Sequence, residues 1–401
     1  MKNEPIVVLD IGTSRTVVCV GKADENDNVR MLGMGSYPTA GVRKGQIVDF
    51  KNVVNCIETA RKEAQKNSEV SIWKVVASIT GDHISAEPYK ELLPINSSDK
   101  IVTLDDMEEL DARLREPPLD SERVVLHTLF QHFRVDEQPG VINPENMKCN
   151  MLHRHALVVS GLANRVENLK RVIGDDKLDV MDIVFDGVAA SLAVLNTAQK
   201  RDGVVLIDIG AGTTSVVTFC GRIVADVFCI GVGGDHITND IAKGFSIPFN
   251  RAEALKREFG RAVLDADRAY TRISLSKEEE RFGPESVSEK SLQIIINARM
   301  AELFKIIRER LEDLNLLDAL GAGVVLTGGG ALLTDVDRLS ERVFSLPSSS
   351  GQINNVLGFD GVENQPSFAT AAGLLKYTFE GIKQQESNTF LGSLLEKLTR
   401  W

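Results

Sequence analysis

The chain has 401 residues, of which 43% are hydrophobic and 26% charged, and a formal net charge of −11. That length exceeds what a single core serves, so two or more subdomains are expected, and the composition excludes a disordered or fibrous chain. The acidic balance excludes a nucleic-acid binder, whose affinity rests on Lys and Arg against phosphate, and confines any contact with an anionic membrane to a local patch.

The first residues, "MKNEPIVVLD", pass directly into a strand with no long apolar h-region, so neither a signal peptide nor an anchor is expected there, and no run approaches membrane-span length. Cys19, Cys56, Cys149, Cys220 and Cys229 lie far apart without a CxxC pair, which reads as reduced, buried thiols and a cytosolic compartment. Residues 6–11, 17–20 and 29–34 read as successive strands, broken at Gly12 and at "ADENDN". "DFKNVVNCIETARKEAQK" follows as a helix with Val53, Val54, Ile57 and Ala60 on one face.

"IWKVVASITG" reads as a buried strand, and beyond it residues 84–155 change texture. Here an acidic helix starts at Thr103 with Asp106 three residues on and stops before Pro117-Pro118; the strands "RVVLHTLFQHFRVD" and "RHALVVSGLA" follow. This segment reads as an inserted subdomain. From 164 helix and strand alternate, with "VAASLAVLNTAQ" as one helix, and this alternation favours an α/β fold. Residues 250–315 are mostly helical and end in a long packing helix, "LQIIINARMAELFKIIRERLEDL", before a last α/β block.

Two stretches repeat about half a chain apart: Asp10-Ile11-Gly12-Thr13-Ser14-Arg15 and Asp208-Ile209-Gly210-Ala211-Gly212-Thr213-Thr214. Each follows a strand, turns tightly and offers backbone N–H groups and hydroxyls to phosphate oxygens. Either alone is equally a plain hairpin turn; the recurrence favours two halves closing on one nucleotide. Asp10 and Asp208, one at each strand end, suit the water shell of a Mg²⁺ ion.

A third loop, Thr327-Gly328-Gly329-Gly330-Ala331, lets backbone approach a base or sugar, or simply turns strand into helix. A fourth, around Gly233 and Gly234, leads to Glu253 and Lys256, three apart on one helix face. That spacing serves a solvated ion pair as well as a grip on ribose and adenine. His153 and His155 lack metal-ligand spacing, and no Ser-His-Asp or nucleophilic Cys arrangement is recognisable.

The series DIGT, DIGxGTT, GG-x₃-TNDIA with AExLK, TGGGA and PSxATAxGLL resembles the superfamily of actin, sugar kinases and seventy-kilodalton chaperones. "VASITGDHI", "VVLHTLFQHFRVDEQPGVINPENMKCNML" and "GGDHITNDIAKGFSIPFNRAEALKREFG" narrow it to the FtsA family of bacterial cell-division actins, over nearly the whole chain. The resemblance implies a two-lobed actin-like ATPase fold built on duplicated RNase H-like cores. Residues 1–83, 156–190 and 366–378 would form the first core and 84–155 the FtsA-type insert. Residues 191–235 and 300–365 would form the second core and 236–299 its smaller subdomain, with 379–388 a linker and 389–401 an amphipathic membrane-targeting helix.

It also implies ATP and Mg²⁺ as cofactors. Gly12, Thr13, Ser14, Arg15, Gly210, Ala211, Gly212, Thr213 and Thr214 would then meet the phosphates. Gly233, Gly234, Glu253, Lys256, Gly328, Gly329, Gly330 and Ala331 would surround ribose and base. Asp10 and Asp208 would hold the metal through water, with Asp208 also catalytic. Asp186 aligns with a water-orienting acid of actin-like relatives, or is only a turn residue before a helix.

The chain departs from the family pattern at Ala211, at Ser215 where an Asp is usual, and at Thr334-Asp335 where Pro-Gly is usual. A neutral hydroxyl at 215 is a poorer acceptor for metal-bound or attacking water, so slow hydrolysis is expected.

In "TFLGSLLEKLTRW" the residues Phe390, Leu391, Leu394, Leu395, Leu398 and Trp401 form one helical stripe. Such a stripe docks on a core or, with Lys397 and Arg400 toward lipid phosphates, on a membrane. The resemblance implies the second, on the cytoplasmic face of the bacterial inner membrane at the division site. It further implies self-assembly into filaments, the C-terminal peptide of FtsZ as partner, and recruitment of other divisome membrane proteins. A scaffold of another membrane machine, like the pilus-assembly protein PilM, and a small-molecule kinase of the same fold are the alternatives.

Overall fold

The computed structural model describes residues 4–26, 28–265, 270–275 and 284–388. The apolar stripe at 390–401 therefore lies outside the described residues.

The first core begins with an antiparallel meander, β1 (Ile6–Ile11), β2 (Arg15–Ala23) and β3 (Val29–Pro38). A short hairpin, β4 (Val42–Arg43) and β5 (Gln46–Ile47), leads to α1 (Phe50–Ser68). Asp49 caps α1 by accepting from the Asn52 N–H, and Val53, Cys56, Ile57, Ala60 and Ala64 are its buried face. Strand β6 (Lys74–Ile79) then lies parallel to β1.

The insert comprises β7 (Ser85–Pro94), α2 (Leu104–Arg115), β8 (Arg123–Val135), β9 (Gln138–Val141) and β10 (Met151–Leu162), its sheet ordered β7-β10-β8-β9. Thr103 and Asp106 form the capping box their spacing suggests. The insert has its own small core around Leu110, Phe133 and Leu152. Beside it Arg154 is buried against the Phe133 ring, 3.7 Å from its centre, and donates to Asp111 at 3.0 Å. β10 runs on past residue 155, and its Leu157 and Val159 belong to the first lobe's core.

Helix α3 (Ala163–Asp175) and strand β11 (Asp179–Phe185) complete the first sheet, ordered β11-β6-β1-β2-β3. The helix predicted over "VAASLAVLNTAQ" is in fact two, α4 (Asp186–Val194) and α5 (Thr197–Asp202). Asn196 starts the second as a capping box with Gln199, a signal present in the sequence.

The second core repeats the first. β12 (Val204–Ile209), β13 (Thr214–Cys220) and β14 (Ile223–Ile230) form the meander; after α6 (Gly234–Phe245), α7 (Phe249–Phe259), the small pair β15 (Arg272–Ser274) and β16 (Ser286–Ser288), and α8 (Glu289–Asp313) comes β17 (Val324–Thr327), parallel to β12. α9 (Val336–Phe344) and β18 (Ser348–Ser350) finish a sheet ordered β14-β13-β12-β17-β18. Both sheets thus read three antiparallel strands, then two parallel ones, in the same order.

Helix α10 (Ala369–Asn388) returns to the first core and crosses α4. Gly373 sits so close that a Cβ there would fall 1.8 Å from the Ala189 carbonyl oxygen. Residues 379–388, expected as a linker, continue this helix, because Glu, Lys and Gln are good helix formers whatever their polarity. Among the described residues no helix is long and apolar enough to cross a membrane.

His127 of β8 pins the insert to the end of β11: the Phe185 N–H donates to its Nε2 at 2.9 Å, and the ring meets Tyr377 edge-on. Burial pushes this imidazole down to about 4. The unfolded chain takes up the proton near the ordinary value of about 6.5, so stability falls as pH drops from there toward 4, by on the order of 3 kcal/mol in total. Urea midpoints at pH 7 and 4.5 check this; His127→Gln should flatten the difference, and an unchanged slope would place its source elsewhere.

Candidate functional site

The two meanders bring their first turns face to face. In each, the glycine N–H closes the turn on the carbonyl three residues later: Gly12 to Arg15 and Gly210 to Thr213, both at 2.9 Å. Between the turns lies a cleft of about 440 Å³, the size of a small-ligand site.

Asp10, Asp186 and Asp208 converge at one end of the cleft. Asp10 and Asp208 leave the matching strands β1 and β12, while Asp186 opens α4, the helix that carries the chain from one core to the other. Burial raises Asp10 to about 6, against a 2.6 Å hydrogen bond donated by Ser78. Burial also raises Asp186, to about 7, with Asp10 adding repulsion while the Ser215 and Thr80 hydroxyls oppose. Asp208 is pushed well up by burial and by both other carboxylates; Thr370 donates to it at 3.3 Å.

Three buried carboxyls, with Asp10 repelling Asp186 and both repelling Asp208, make a place where a cation is welcome. Among the described residues no three His, Cys, Asp or Glu side chains stand close enough to hold a metal ion by themselves. Such a donor set fits Mg²⁺, which keeps several waters and takes few protein ligands.

The cleft's cations are Arg15, Lys256 and Arg257, with Asp235 and Glu253 as its further carboxylates. Arg15 is half-buried with its guanidinium over the Phe368 ring at 4.9 Å, and burial together with Arg257 lowers its pKa. Lys256 Nζ donates to the Gly234 carbonyl at 3.0 Å and to Thr238 Oγ1 at 2.8 Å, and pairs with Glu253 at 2.6 Å. Burial raises the Glu253 carboxyl, but Lys256, Thr238 and Arg257 outweigh it and hold it below the usual range. The two are thus an ion pair, and both line the cleft.

Of the residues singled out in the sequence, Gly12 to Arg15, Gly210, Ala211, Thr213, Gly234, Glu253, Lys256 and Gly328 to Gly330 line this cleft. Gly212, Thr214, Gly233 and Ala331 stand behind its walls. Thr214 Oγ1 donates to the Val232 carbonyl at 2.8 Å, and Gly212 packs against Thr13 and Lys44. Gly233 packs on the carbonyls of Gly210 and Ala211, which accept from the N–H groups of Gly234 and Asp235 at the start of α6. Asp335, where the family pattern has Gly, adopts φ 60° and accepts from Arg261 at 2.9 Å. That left-handed backbone explains why glycine is usual there.

Sequence reasoning missed Thr80, Arg257 and Thr370 as lining residues. Thr80 stands just past the end of β6 inside "VASITGDHI", and Thr370 lies inside the PSxATAxGLL pattern, but neither was given a role.

Two matching five-stranded cores closing on a charged cleft define the actin-like class, and solved structures bear this out. A chain of the PilM–PilN type IV pilus biogenesis complex superposes with a TM-score of 0.63 at 18% identity, covering 93% of this chain and 98% of that one. MreB5 of Spiroplasma citri bound to ADP superposes at 0.58 and 15% identity, covering 98% and 100%. The family model "Cell division protein FtsA" matches residues 205–373, and that of the SHS2 domain inserted in FtsA matches 81–160. The cell division protein FtsA of Pseudomonas aeruginosa is 30% identical over 99% of this chain and 97% of its own, and that of Escherichia coli is 28% identical over the same shares. The chain belongs to the FtsA family of cell division proteins.

Proposed function

We propose that this FtsA-family chain binds ATP with Mg²⁺ in the cleft, hydrolyses it slowly, and assembles with copies of itself. Its place is the cytoplasmic face of the bacterial inner membrane at the division site. There it tethers the C-terminal peptide of FtsZ and recruits other divisome membrane proteins. The observation that carries the nucleotide reading is the pair of Asp-bearing turns facing each other across one cleft, with Arg15, Lys256 and Arg257 as its cations. The MreB5 structures bound to ADP and AMPPNP support it.

When bound, the Mg²⁺–polyphosphate unit supplies the positive charge that three crowded carboxylates lack and the negative charge that the guanidiniums await. The N–H groups of Thr13, Ser14 and Ala211 and the hydroxyls of Thr13 and Ser14 would orient the phosphates, and Lys256 and Glu253 would hold the nucleoside end. Asp186 is positioned by the hydroxyls of Ser215 and Thr80. Ser215 offers a neutral hydroxyl where the family usually has a carboxylate, a poorer acceptor for metal-bound or attacking water, which supports slow turnover.

The membrane role rests on the stripe from Phe390 to Trp401, and many weak tails on one filament bind with avidity. Co-sedimentation with anionic vesicles, comparing the full chain with one ending at Asn388, tests it. Pelleting that needs residues 389–401 and strengthens with Mg-ATP is expected. Pelleting independent of the tail would favour a scaffold like the pilus-assembly protein, and rapid turnover with a small acceptor would favour the kinase.

A further inference from the structure

Behind the cleft lies a second chamber of about 30 Å³. One water needs roughly 10–15 Å³, so the space exceeds what a single water requires. Thr80 lines both spaces and forms part of the wall between them. The rest of the chamber comes from the ends of β1 and β6, hairpin β4–β5, His83 and the first turns of α3.

Aliphatic side chains form part of its wall, but its charge is one-sided. Among the described residues no carboxylate lines the chamber, whereas Arg165, His83, Asn168 and Gln46 do. The Arg165 Nε is buried without a hydrogen-bond partner in the protein. An unpaired buried donor is costly, and a charged one more so, which calls for an acceptor from outside the chain. The Leu162 N–H donates to His83 Nδ1 at 3.3 Å, so the neutral ring carries its proton on Nε2 and is a second donor. Burial and the nearby Arg165 keep that ring below the usual histidine range. The neighbouring Asp82 is turned to Gln46, whose amide donates to it at 3.5 Å.

We propose that this chamber is a second oxyanion site that takes inorganic phosphate, with Arg165 as its cation and His83 and Asn168 as neutral donors. This deepens the reading of the cleft as an ATP site and rests on it for the source of the phosphate: the ion freed by hydrolysis lies on the other side of Thr80.

The test is calorimetric titration of inorganic phosphate into the full chain saturated with Mg-AMPPNP, which fills the cleft through its terminal phosphate. One equivalent of phosphate should still bind. Arg165→Gln should weaken it at least tenfold while leaving AMPPNP affinity unchanged, and Asn168→Asp, at an exposed helix position, should weaken it by repulsion. No binding to the AMPPNP-filled chain, or equal affinity in both variants and the parent, overturns the proposal. Should AMPPNP itself fail to bind, the nucleotide reading falls; the same variants titrated in the bare chain then judge the chamber on their own.

Discussion

Gly328→Ala should weaken nucleotide binding roughly a hundredfold while leaving the insert folded. Gly328 adopts φ 80° and ψ 177°, a region essentially reserved for glycine. An added Cβ would fall 2.2 Å from Asp208 Oδ1 and 2.6 Å from the Ile209 carbonyl oxygen. The methyl must therefore displace either the strand end that delivers Asp208 or the carboxyl itself. Backbone strain and overpacking together cost on the order of 3 kcal/mol, which corresponds to roughly a hundredfold or more in affinity. Titration with a fluorescent ATP analogue, beside the same substitution at Gly361, where a Cβ would meet nothing within 4 Å, measures it. Near-parental affinity would mean that the glycine loop does not shape the site.

Ser215→Asp should make the fold depend on metal. Across the first hairpin Asp10 faces Val17; across the second Asp208 faces Ser215. The backbone is duplicated, but only the second half places a polar side chain opposite its aspartate. Ser215 is 2% exposed and its hydroxyl reaches Asp186, Thr80 and Cys229. A carboxylate there becomes the fourth in a space that already disfavours three. In EDTA the variant should lose roughly 3 kcal/mol, the usual size for an uncompensated buried charge. Mg-ATP should then raise its melting temperature by more than it raises the parent's, with faster phosphate production. Equal increments in both proteins would show that position 215 does not feel the metal.

The site was legible where chemistry needs a short contiguous pattern. Asp-Ile-Gly marks both turns because a tight turn at a strand end allows few residues, and Glu253 and Lys256 stand out because helical spacing fixes their contact. Thr80 and Thr370 were not legible as a pair with Ser215 and Asp208, since each bond joins residues more than a hundred positions apart. The fold followed the same rule. The duplication of the core came through because the Asp-Ile-Gly turns repeat. The break at Asn196 and the helix over 379–388 were missed because polarity was given more weight than capping and helix propensity.

Helix α10 starts where Thr370 touches Asp208 and runs unbroken to Asn388, about 30 Å at 1.5 Å per residue. A string of loop residues would absorb any shift in the cleft; a continuous helix carries it along its axis. A rotation of a few degrees at the Thr370 end becomes a displacement of an ångström or more at the far end. The cleft and the far end of α10 at Asn388 are thus joined by a lever, and the position of that end answers to the same contacts that hold Asp208.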